Sequence, residues 1–105
     1  MNIMQGDEYD VNITLKDADG EPITEVGVTD VEIGIGSLTK TYSDGEVSYD
    51  SENKQWVFRL SQTETSGLKN GVLSFQVRVK FGGGDVVGAK LPSVGVSPST
   101  SKEVL

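Results

Sequence analysis

Hydrophobic and polar residues alternate along most of this chain, with the period of two that is typical of β-strands. The alternation is clearest in EYDVNITLK (8–16), VEIGI (31–35), QWVFRL (55–60) and GVLSFQVRVKF (71–81). Each of these segments has one apolar face and one polar face. Strands of this kind belong to antiparallel sheets that bury one surface against a second sheet. The pattern therefore predicts a β-sandwich.

The residues predicted to point into the core share the apolar phase of these segments: Tyr9, Val11, Ile13, Leu15, Val31, Ile33, Ile35, Trp56, Phe58, Leu60, Leu73, Phe75, Val77, Val79 and Phe81. Weaker strands are predicted at 38–43, 46–50 and 85–91, with a further extended piece at 93–96. Gly, Asn and Asp residues, which favour tight turns, separate the strands. About seven strands at this spacing favour a single immunoglobulin-like antiparallel β-sandwich, although the Cys and Trp pattern of antibody domains is absent.

The segment LSQTETSGLKNG interrupts the alternation. Ser61 is followed three residues later by Glu64, which is the spacing of a helix capping box, and Gly67 can end a single helical turn. We therefore expect a short helical crossing near residues 61–67, from one sheet to the other. The sandwich is expected to occupy residues 1–96, and the small polar residues of 97–105 predict a C-terminal tail or linker.

The composition narrows the possible functions. The chain has 105 residues, which suits one domain, and it contains no Cys and no His. Disulfides, Cys/His zinc sites and histidine-based catalysis are therefore excluded. Sixteen acidic and nine basic residues give a net charge of −7, which argues against a nucleic-acid partner.

The opening residues MNIMQGDEYD lack the basic and apolar regions of a secretion signal. No apolar run approaches the roughly 20 residues that a membrane helix needs. We therefore expect a protein that is made in the cytoplasm without a signal peptide and has no membrane partner.

The run FGGGDVVG (81–88) resembles a phosphate-binding glycine loop, but such a loop needs a helix directly after its glycines. Here β-branched residues, Gly88 and Pro92 follow. The run is therefore predicted to be a hairpin loop between two strands. The glycines of EIGIG (32–36) also lack a following helix, and we interpret them as a β-bulge or a close approach between the sheets.

Carboxylates at alternate positions in DADGEPITE (17–25) resemble the start of a calcium loop. The candidate ligands are Asp17, Asp19 and Glu21, although the glutamate that completes an EF-hand loop is missing from its required position. An Asp-Gly hairpin turn explains the same residues. The sequence implies no other metal and no cofactor.

A second candidate site consists of aromatic residues. Tyr9, Tyr42, Tyr49 and Trp56 would form a sugar-stacking platform if they were exposed, but Trp56 alternates with Phe58 and is predicted to point inward. Tyr42 and Tyr49 flank a turn and are candidates for a cross-strand pair. The acidic residues lie mostly in turns or on outward positions, which predicts a solvated rim and a protein that is not an enzyme.

Three segments carry a family resemblance: DADGEPI (17–23), LSQTETSGLKNG (60–71) and VLSFQVRVKF (72–81). Together they resemble the small immunoglobulin-like domains of tailed-phage and prophage baseplate or tail proteins, in particular the amino-terminal domain family of the upper baseplate protein. The resemblance implies a non-catalytic structural or assembly module of a phage tail or baseplate. Its implied partners are other tail or baseplate proteins or copies of itself, and its implied location is the virion or the assembling tail.

Protein partners would be bound through strand edges, loops and an outer face that carries Arg59, Arg78 and Lys80, where positive charge lies on strands of an otherwise acidic domain. Cross-strand ion pairs explain the same three residues equally well. The alternative function is a carbohydrate-binding or adhesin-like recognition domain, assisted by calcium.

Overall fold

The chain folds as an all-β sandwich with one short helix, in a computed structural model that describes residues 1–98 except the side chain of Lys90. The elements, in chain order, are β1 (Asn2–Met4), β2 (Tyr9–Ile13), β3 (Val28–Ile35), β4 (Leu38–Thr41), β5 (Val47–Asp50), β6 (Gln55–Leu60), α1 (Gln62–Ser66), β7 (Gly71–Phe81) and β8 (Val86–Ser97). Helix α1 has five residues, and no helix in this range is long and apolar enough to cross a membrane. The predicted fold class is confirmed.

Two sheets pack face to face. The larger sheet has five strands in the order β1-β8-β7-β3-β4, and the smaller sheet has three in the order β2-β6-β5. If the strands are lettered along the chain, these sheets read A-G-F-C-C′ and B-E-D, which is an immunoglobulin strand order with strand A moved beside strand G. In this position β1 pairs with β8 in parallel, whereas a purely antiparallel sandwich was predicted.

The core lies between the inner faces of the two sheets and consists largely of the predicted residues. Trp56, Phe58 and Leu60 of β6 are buried, and they face the buried Val31, Ile33, Ile35, Phe75, Val77 and Val79 of the larger sheet. The Phe58 and Phe75 rings meet edge to face across the sandwich, with their centroids 6.2 Å apart. Alternation therefore identified strands β2, β3, β6 and β7 and the faces they bury.

Two strands differ from the prediction. Strand β1 was not predicted; it is only three residues long and buries only Ile3. Strand β8 is continuous over Val86–Ser97, where two separate pieces were predicted. It tolerates Pro92 because the β7–β8 register shifts between Leu73 and Phe75, and proline is accommodated at such bulges. Strand β8 ends one residue beyond the predicted domain limit, and residues 99–105 of the predicted tail lie outside the described residues.

Helix α1 carries the chain from β6 in the smaller sheet to β7 in the larger sheet, as predicted. Its capping box is complete. The Glu64 backbone N–H donates to Ser61 Oγ over 3.1 Å, and the Ser61 backbone N–H donates to Glu64 Oε1 over 2.9 Å. Two amide donors at the helix start are thereby satisfied.

The substitution Ser61→Ala is expected to lower the free energy of unfolding by about 1 kcal/mol, because the Glu64 N–H loses its acceptor. For a domain of this size the melting temperature should fall by roughly 4–8 °C. Thermal unfolding followed by circular dichroism measures the shift. Ser66→Ala, at the exposed last residue of the same helix, is the matched control and should leave the melting temperature almost unchanged.

The buried Thr65 joins α1 to the segment between β1 and β2. Its hydroxyl donates to the Asp7 carbonyl over 2.8 Å and accepts from the Gly6 backbone N–H over 3.0 Å. Nearby, Gln5 Nε2 donates to the Leu68 carbonyl over 2.7 Å. These hydrogen bonds hold β1 against the helix and direct it onto the edge of β8.

Candidate functional site

The sandwich is open at the end of β8 that begins with Val86. Val87 pairs with Val79 and Ala89 with Val77, so the side chains of Val87 and Ala89 share the inner face with two core residues. Both are nevertheless exposed, with Val87 accessible to 56%. Further along the same face of β8, Val94 and Val96 are buried. The smaller sheet therefore covers only the later part of β8.

This opening contains an apolar cleft of about 280 Å³. One wall is formed by the inner face of β7 and β8, from Val77, Val79, Phe81, Val87, Gly88 and Ala89. The other wall is the chain that follows β2, from Leu15, Lys16, Asp17, Ala18 and Ile23. The volume is about twice that of an apolar cavity of ~150 Å³ that holds benzene, so the cleft has room for more than one aliphatic side chain.

The wall that follows β2 is a small hairpin fixed by its own hydrogen bonds. Asp17 Oδ1 accepts from the backbone N–H groups of Asp19 (2.9 Å) and Glu21 (3.0 Å), and Lys16 and Pro22 form an isolated β-bridge. The hairpin is anchored to the core because Trp56 Nε1 donates to the Ile23 carbonyl over 2.9 Å.

The calcium candidates Asp17, Asp19 and Glu21 lie on this hairpin. Asp17 uses one carboxylate oxygen to close the turn, and no three Asp or Glu side chains within residues 1–98 are grouped as metal ligands. The arrangement is that of an Asp-Gly turn, the second interpretation of these residues. Of the charged residues on this hairpin, Lys16 and Asp17 line the cleft, whereas Asp19 and Glu21 do not.

Beside the cleft, most of β8 is a free strand edge. One edge of β8 pairs with β7 along its length, but on the other edge β1 pairs only with Gly95, Val96 and Ser97. Among the described residues, no strand borders the remaining edge of β8 from Val86 to Val94. An edge of this kind presents backbone N–H and C=O groups that another strand can bind.

The glycine run is the turn of the β7–β8 hairpin, as predicted. The Phe81 N–H donates to the Asp85 carbonyl and the Gly84 N–H to the Phe81 carbonyl, both over 2.9 Å. Gly84 has a φ of +93°, which a side chain would disfavour. The interpretation of EIGIG as a β-bulge or a close approach between the sheets was wrong. Gly34 pairs in regular register with Thr39 and Gln76 and has open space where a Cβ would lie, and Gly36, with φ +57°, is the first residue of the two-residue turn between β3 and β4.

The three basic candidates do not form one face. Arg78 and Lys80 lie on the outer face of the larger sheet, whereas Arg59 lies on the outer face of the smaller sheet, on the opposite side of the sandwich. A single partner-binding face made of all three was therefore wrong. Arg59 is separated from the other two because its strand belongs to the other sheet, and alternation along one strand does not predict the sheet to which that strand belongs.

Each of these cations is placed opposite an acid. Arg78 pairs in register with Glu32, their side chains 3.8 Å apart, and Lys80 pairs in register with Asp30. Arg59 donates to Glu8 over 2.6 Å, and this hydrogen bond raises the pKa of the Arg59 guanidinium. The placement is that of ion pairs on exposed strands, the second interpretation of these residues.

The aromatic candidates form a cluster around the buried Trp56. Tyr42 packs against the indole edge to face at 5.2 Å, and Tyr49 packs against it at 5.0 Å. The predicted cross-strand pair of Tyr42 and Tyr49 was wrong, because β4 and β5 belong to different sheets and Tyr49 pairs in register with Trp56. The fourth candidate, Tyr9, is partly buried against the core.

One charged pair was not predicted. Lys40 pairs with Ile33 and so points inward, where its ammonium lies 2.8 Å from Glu64 Oε2 and 2.9 Å from Oε1. Burial alone would raise the pKa of Glu64, but hydrogen bonds from Lys40 and the Ser61 N–H, together with the Lys40 charge, lower it. The sequence signal that could have revealed this inward lysine is its position between Leu38 and Tyr42, which share one face of the strand with it. This pair joins the edge strand β4 to helix α1.

The open cleft and the free edge of β8 were also not predicted. The sequence signal that could have revealed them is a pair of adjacent valines, Val86 and Val87, on a strand with only weak alternation.

Comparison of the chain with protein-family models, with curated proteins and with solved structures finds no match. Within the described residues, the feature of the fold best suited to binding is the β8 edge together with the apolar cleft beside it.

Proposed function

We propose that this chain is a non-catalytic structural or assembly module that acts through protein–protein contacts. The observation that carries the proposal is the free edge of β8 from Val86 to Val94, which borders an apolar cleft. Protein segments bind such edges through main-chain hydrogen bonds, while neighbouring pockets select their side chains. The cleft wall is mostly aliphatic, and its one carboxylate, Asp17, is engaged in its own turn, which supports binding rather than catalysis.

We further propose that the particle in which the module works is a phage or prophage tail or baseplate. The resemblance of segments 17–23, 60–71 and 72–81 to small immunoglobulin-like domains of tail proteins supports this setting. Repeated weak contacts suit a symmetric assembly, in which many copies bind at once. The carbohydrate-binding alternative has less support, because Trp56 is buried and both Tyr42 and Tyr49 pack against it.

The test is to induce particle release from the source strain, sediment the particles and measure this chain by quantitative peptide mass spectrometry. We expect it at a fixed ratio to the tail proteins across gradient fractions. The sediment from an uninduced culture is the control. Intact particles that contain the tail proteins but lack this chain would contradict a role as a particle component.

A further inference from the structure

The backbone groups that face the free edge of β8 follow from the hydrogen bonds of the β7–β8 hairpin. The Phe81 N–H donates to the Asp85 carbonyl at the start of this hairpin. Hydrogen-bonded and non-hydrogen-bonded pairs alternate along an antiparallel ladder. Val87 therefore directs its backbone groups toward β7, whereas Val86 and Gly88 direct theirs toward the free edge. An added strand would bond to these outward groups.

The two sides of this edge differ in chemistry. On the inner side, Val87 lines the apolar cleft and is 56% exposed. On the outer side, Val86 pairs with Lys80 and Gly88 pairs with Arg78, so two cations lie one strand behind the edge. Gly88 has no side chain that would separate Arg78 from the edge. Because successive side chains of a strand point to opposite faces, an added strand would meet an apolar surface on one side and a basic one on the other.

The acids opposite these two cations leave both able to bind a further carboxylate. Asp30 is turned toward Ser43, whose N–H donates to Oδ1 and whose hydroxyl donates to Oδ2, both over 3.0 Å. Among the described residues, Lys80 forms no ion pair. The Arg78 guanidinium lies 3.8 Å from the Glu32 carboxylate, which is beyond hydrogen-bonding distance. The N–H groups of both cations are therefore free to donate to a partner.

Resting on the proposed function, we infer that the edge at residues 86–91 binds an extended segment of a partner protein in which acidic and aliphatic residues alternate. The segment would extend the larger sheet by one strand. Its aliphatic side chains would enter the cleft and cover Val87 and Ala89, which are exposed on an otherwise apolar inner face. Its carboxylates would lie on the outer face, and the one opposite Gly88 would lie nearest to Arg78.

The nearest charges, and not the net charge of −7, select this partner. With strands spaced about 4.8 Å apart, an added strand lies about 10 Å from β7 and about 14 Å from β3. Its outward carboxylates are therefore nearer to the cations of β7 than to the acids of β3. Asp85 lies in the turn before β8, outside the bound residues. Exposed charges more than about 8 Å apart are largely screened at physiological ionic strength, so distant acids contribute little.

The same outer face argues against a second copy as the occupant. Pairing of two β8 edges would place the cations of β7 from both copies on the same side of the joined sheet, behind the shared edge. Like charges placed together at an interface disfavour association. A second copy is therefore an outcome for the test to detect.

The probe is the acetylated and amidated peptide EVEVEVE, titrated to about 1 mM into the isotope-labelled full chain and followed by NMR. We expect the amide signals of residues 86–91 to shift and to approach saturation. The peptide KVKVKVK, which has the same length and the same valines, should bind about tenfold more weakly. An EVEVEVE peptide with alternate amides N-methylated should also bind about tenfold more weakly, because it cannot form the main-chain hydrogen bonds.

Val86 and Val87 provide a matched pair of variants. Both are 56% exposed, but Val87 lines the cleft, whereas Val86 points to the outer face beside Lys80. Val86→Lys and Val87→Lys change the net charge equally, so attraction by charge alone would strengthen the binding of EVEVEVE in both. We expect Val86→Lys to bind the peptide at least as tightly as the wild type, and Val87→Lys to bind it about tenfold more weakly. Circular dichroism spectra and melting temperatures check that both variants fold.

Arg78 and Arg59 provide a second matched pair, because each side chain is 64% exposed but the two lie on opposite sides of the sandwich. Arg78→Gln and Arg59→Gln lower the net charge by the same amount. Arg78→Gln should weaken the binding of EVEVEVE by about threefold, whereas Arg59→Gln should leave it unchanged.

Four results would each overturn the inference. The first is no shift in residues 86–91 with EVEVEVE, and the second is binding of KVKVKVK as tight as that of EVEVEVE. The third is an equal effect within either matched pair of variants, since net charge would then explain the association. The fourth is sedimentation of the free chain as a dimer that Val87→Lys dissociates, which would make a second copy the occupant. Recovery of the chain with tail particles despite any of these results would leave the proposed function standing and refute only this inference.

Discussion

Replacing Trp56 with alanine is expected to lower the free energy of unfolding by about 4 kcal/mol. The indole is fully buried between the sheets, where it contacts Tyr42 and Tyr49 and donates to the Ile23 carbonyl. Its loss would leave a cavity, two aromatic rings without their partner and one carbonyl without its donor. Since domains are typically stable by only about 5–15 kcal/mol, the variant should be close to unfolding at 37 °C.

Chemical denaturation followed by circular dichroism measures this effect, because Trp56 is the sole tryptophan and its removal also removes the fluorescence signal. Trp56→Phe should lose roughly half as much, since a ring still fills most of the space but cannot donate to Ile23. Val57→Ala, at the next position but on the outer face, is the control and should cost under about 1 kcal/mol. A loss below about 2 kcal/mol in Trp56→Ala would show that the aromatic cluster is not the centre of the core.

Replacing Lys40 with methionine is expected to lower the free energy of unfolding by about 2 kcal/mol at pH 7. Removing one partner of a buried ion pair costs roughly 3–5 kcal/mol. The expected cost here is smaller because Glu64 keeps 28% of its side chain exposed, against 10% for Lys40. The methionine preserves the apolar contacts of the lysine stem, so the loss reports mainly on the unpaired carboxylate.

The stability lost in Lys40→Met should be larger at neutral pH than at acidic pH. The pKa of Glu64 in the folded chain is lower than its ordinary value of 4.5, which applies to the unfolded chain. The pair therefore stabilises the fold above that pH, and its contribution is lost as the pH falls through the folded pKa. The gap between the wild type and Lys40→Met, measured by denaturation at pH 7 and at about pH 3, should be smaller at the lower pH.

Two further variants control this experiment. In Lys40→Met/Glu64→Gln the carboxylate is neutral while glutamine can still accept from the Ser61 N–H, so much of the lost stability should return. Arg59→Met removes the exposed pair with Glu8 and should change the melting temperature far less than Lys40→Met. A double variant no more stable than Lys40→Met would show that the unpaired charge is not the cause.

The sequence predicted the parts of the fold that local rules govern. Alternation identified the core face of β6 and β7, and the spacing of Ser61 and Glu64 identified α1, because each signal lies within one element. Strand β1 was not predicted, because its three residues are too few to show an alternating pattern. It contributes one buried side chain, Ile3, and its partner β8 lies at the far end of the described chain.

The candidate site could be predicted less well, because it depends on how the sheets are placed. Arg59 and Arg78 have the same outward pattern, yet they lie on opposite sides of the sandwich. Lys40 was not recognised as an inward residue, because its partner Glu64 belongs to another element. The open cleft likewise exists because a three-stranded sheet leaves part of a five-stranded sheet uncovered, and this mismatch is a property of the assembled fold.

The parallel pairing of β1 with the end of β8 also has a mechanical consequence. Asn2, Ile3 and Met4 lie beside Gly95, Val96 and Ser97, and two further backbone hydrogen bonds, Gly95 N–H to Met1 O and Gln5 N–H to Ser97 O, continue the contact. A tensile load applied at residues 1 and 98 would pull these parallel strands in shear. All their hydrogen bonds would then bear the load together instead of opening one after another. The paired first and last strands, β1 and β8, therefore form a clamp that resists stretching.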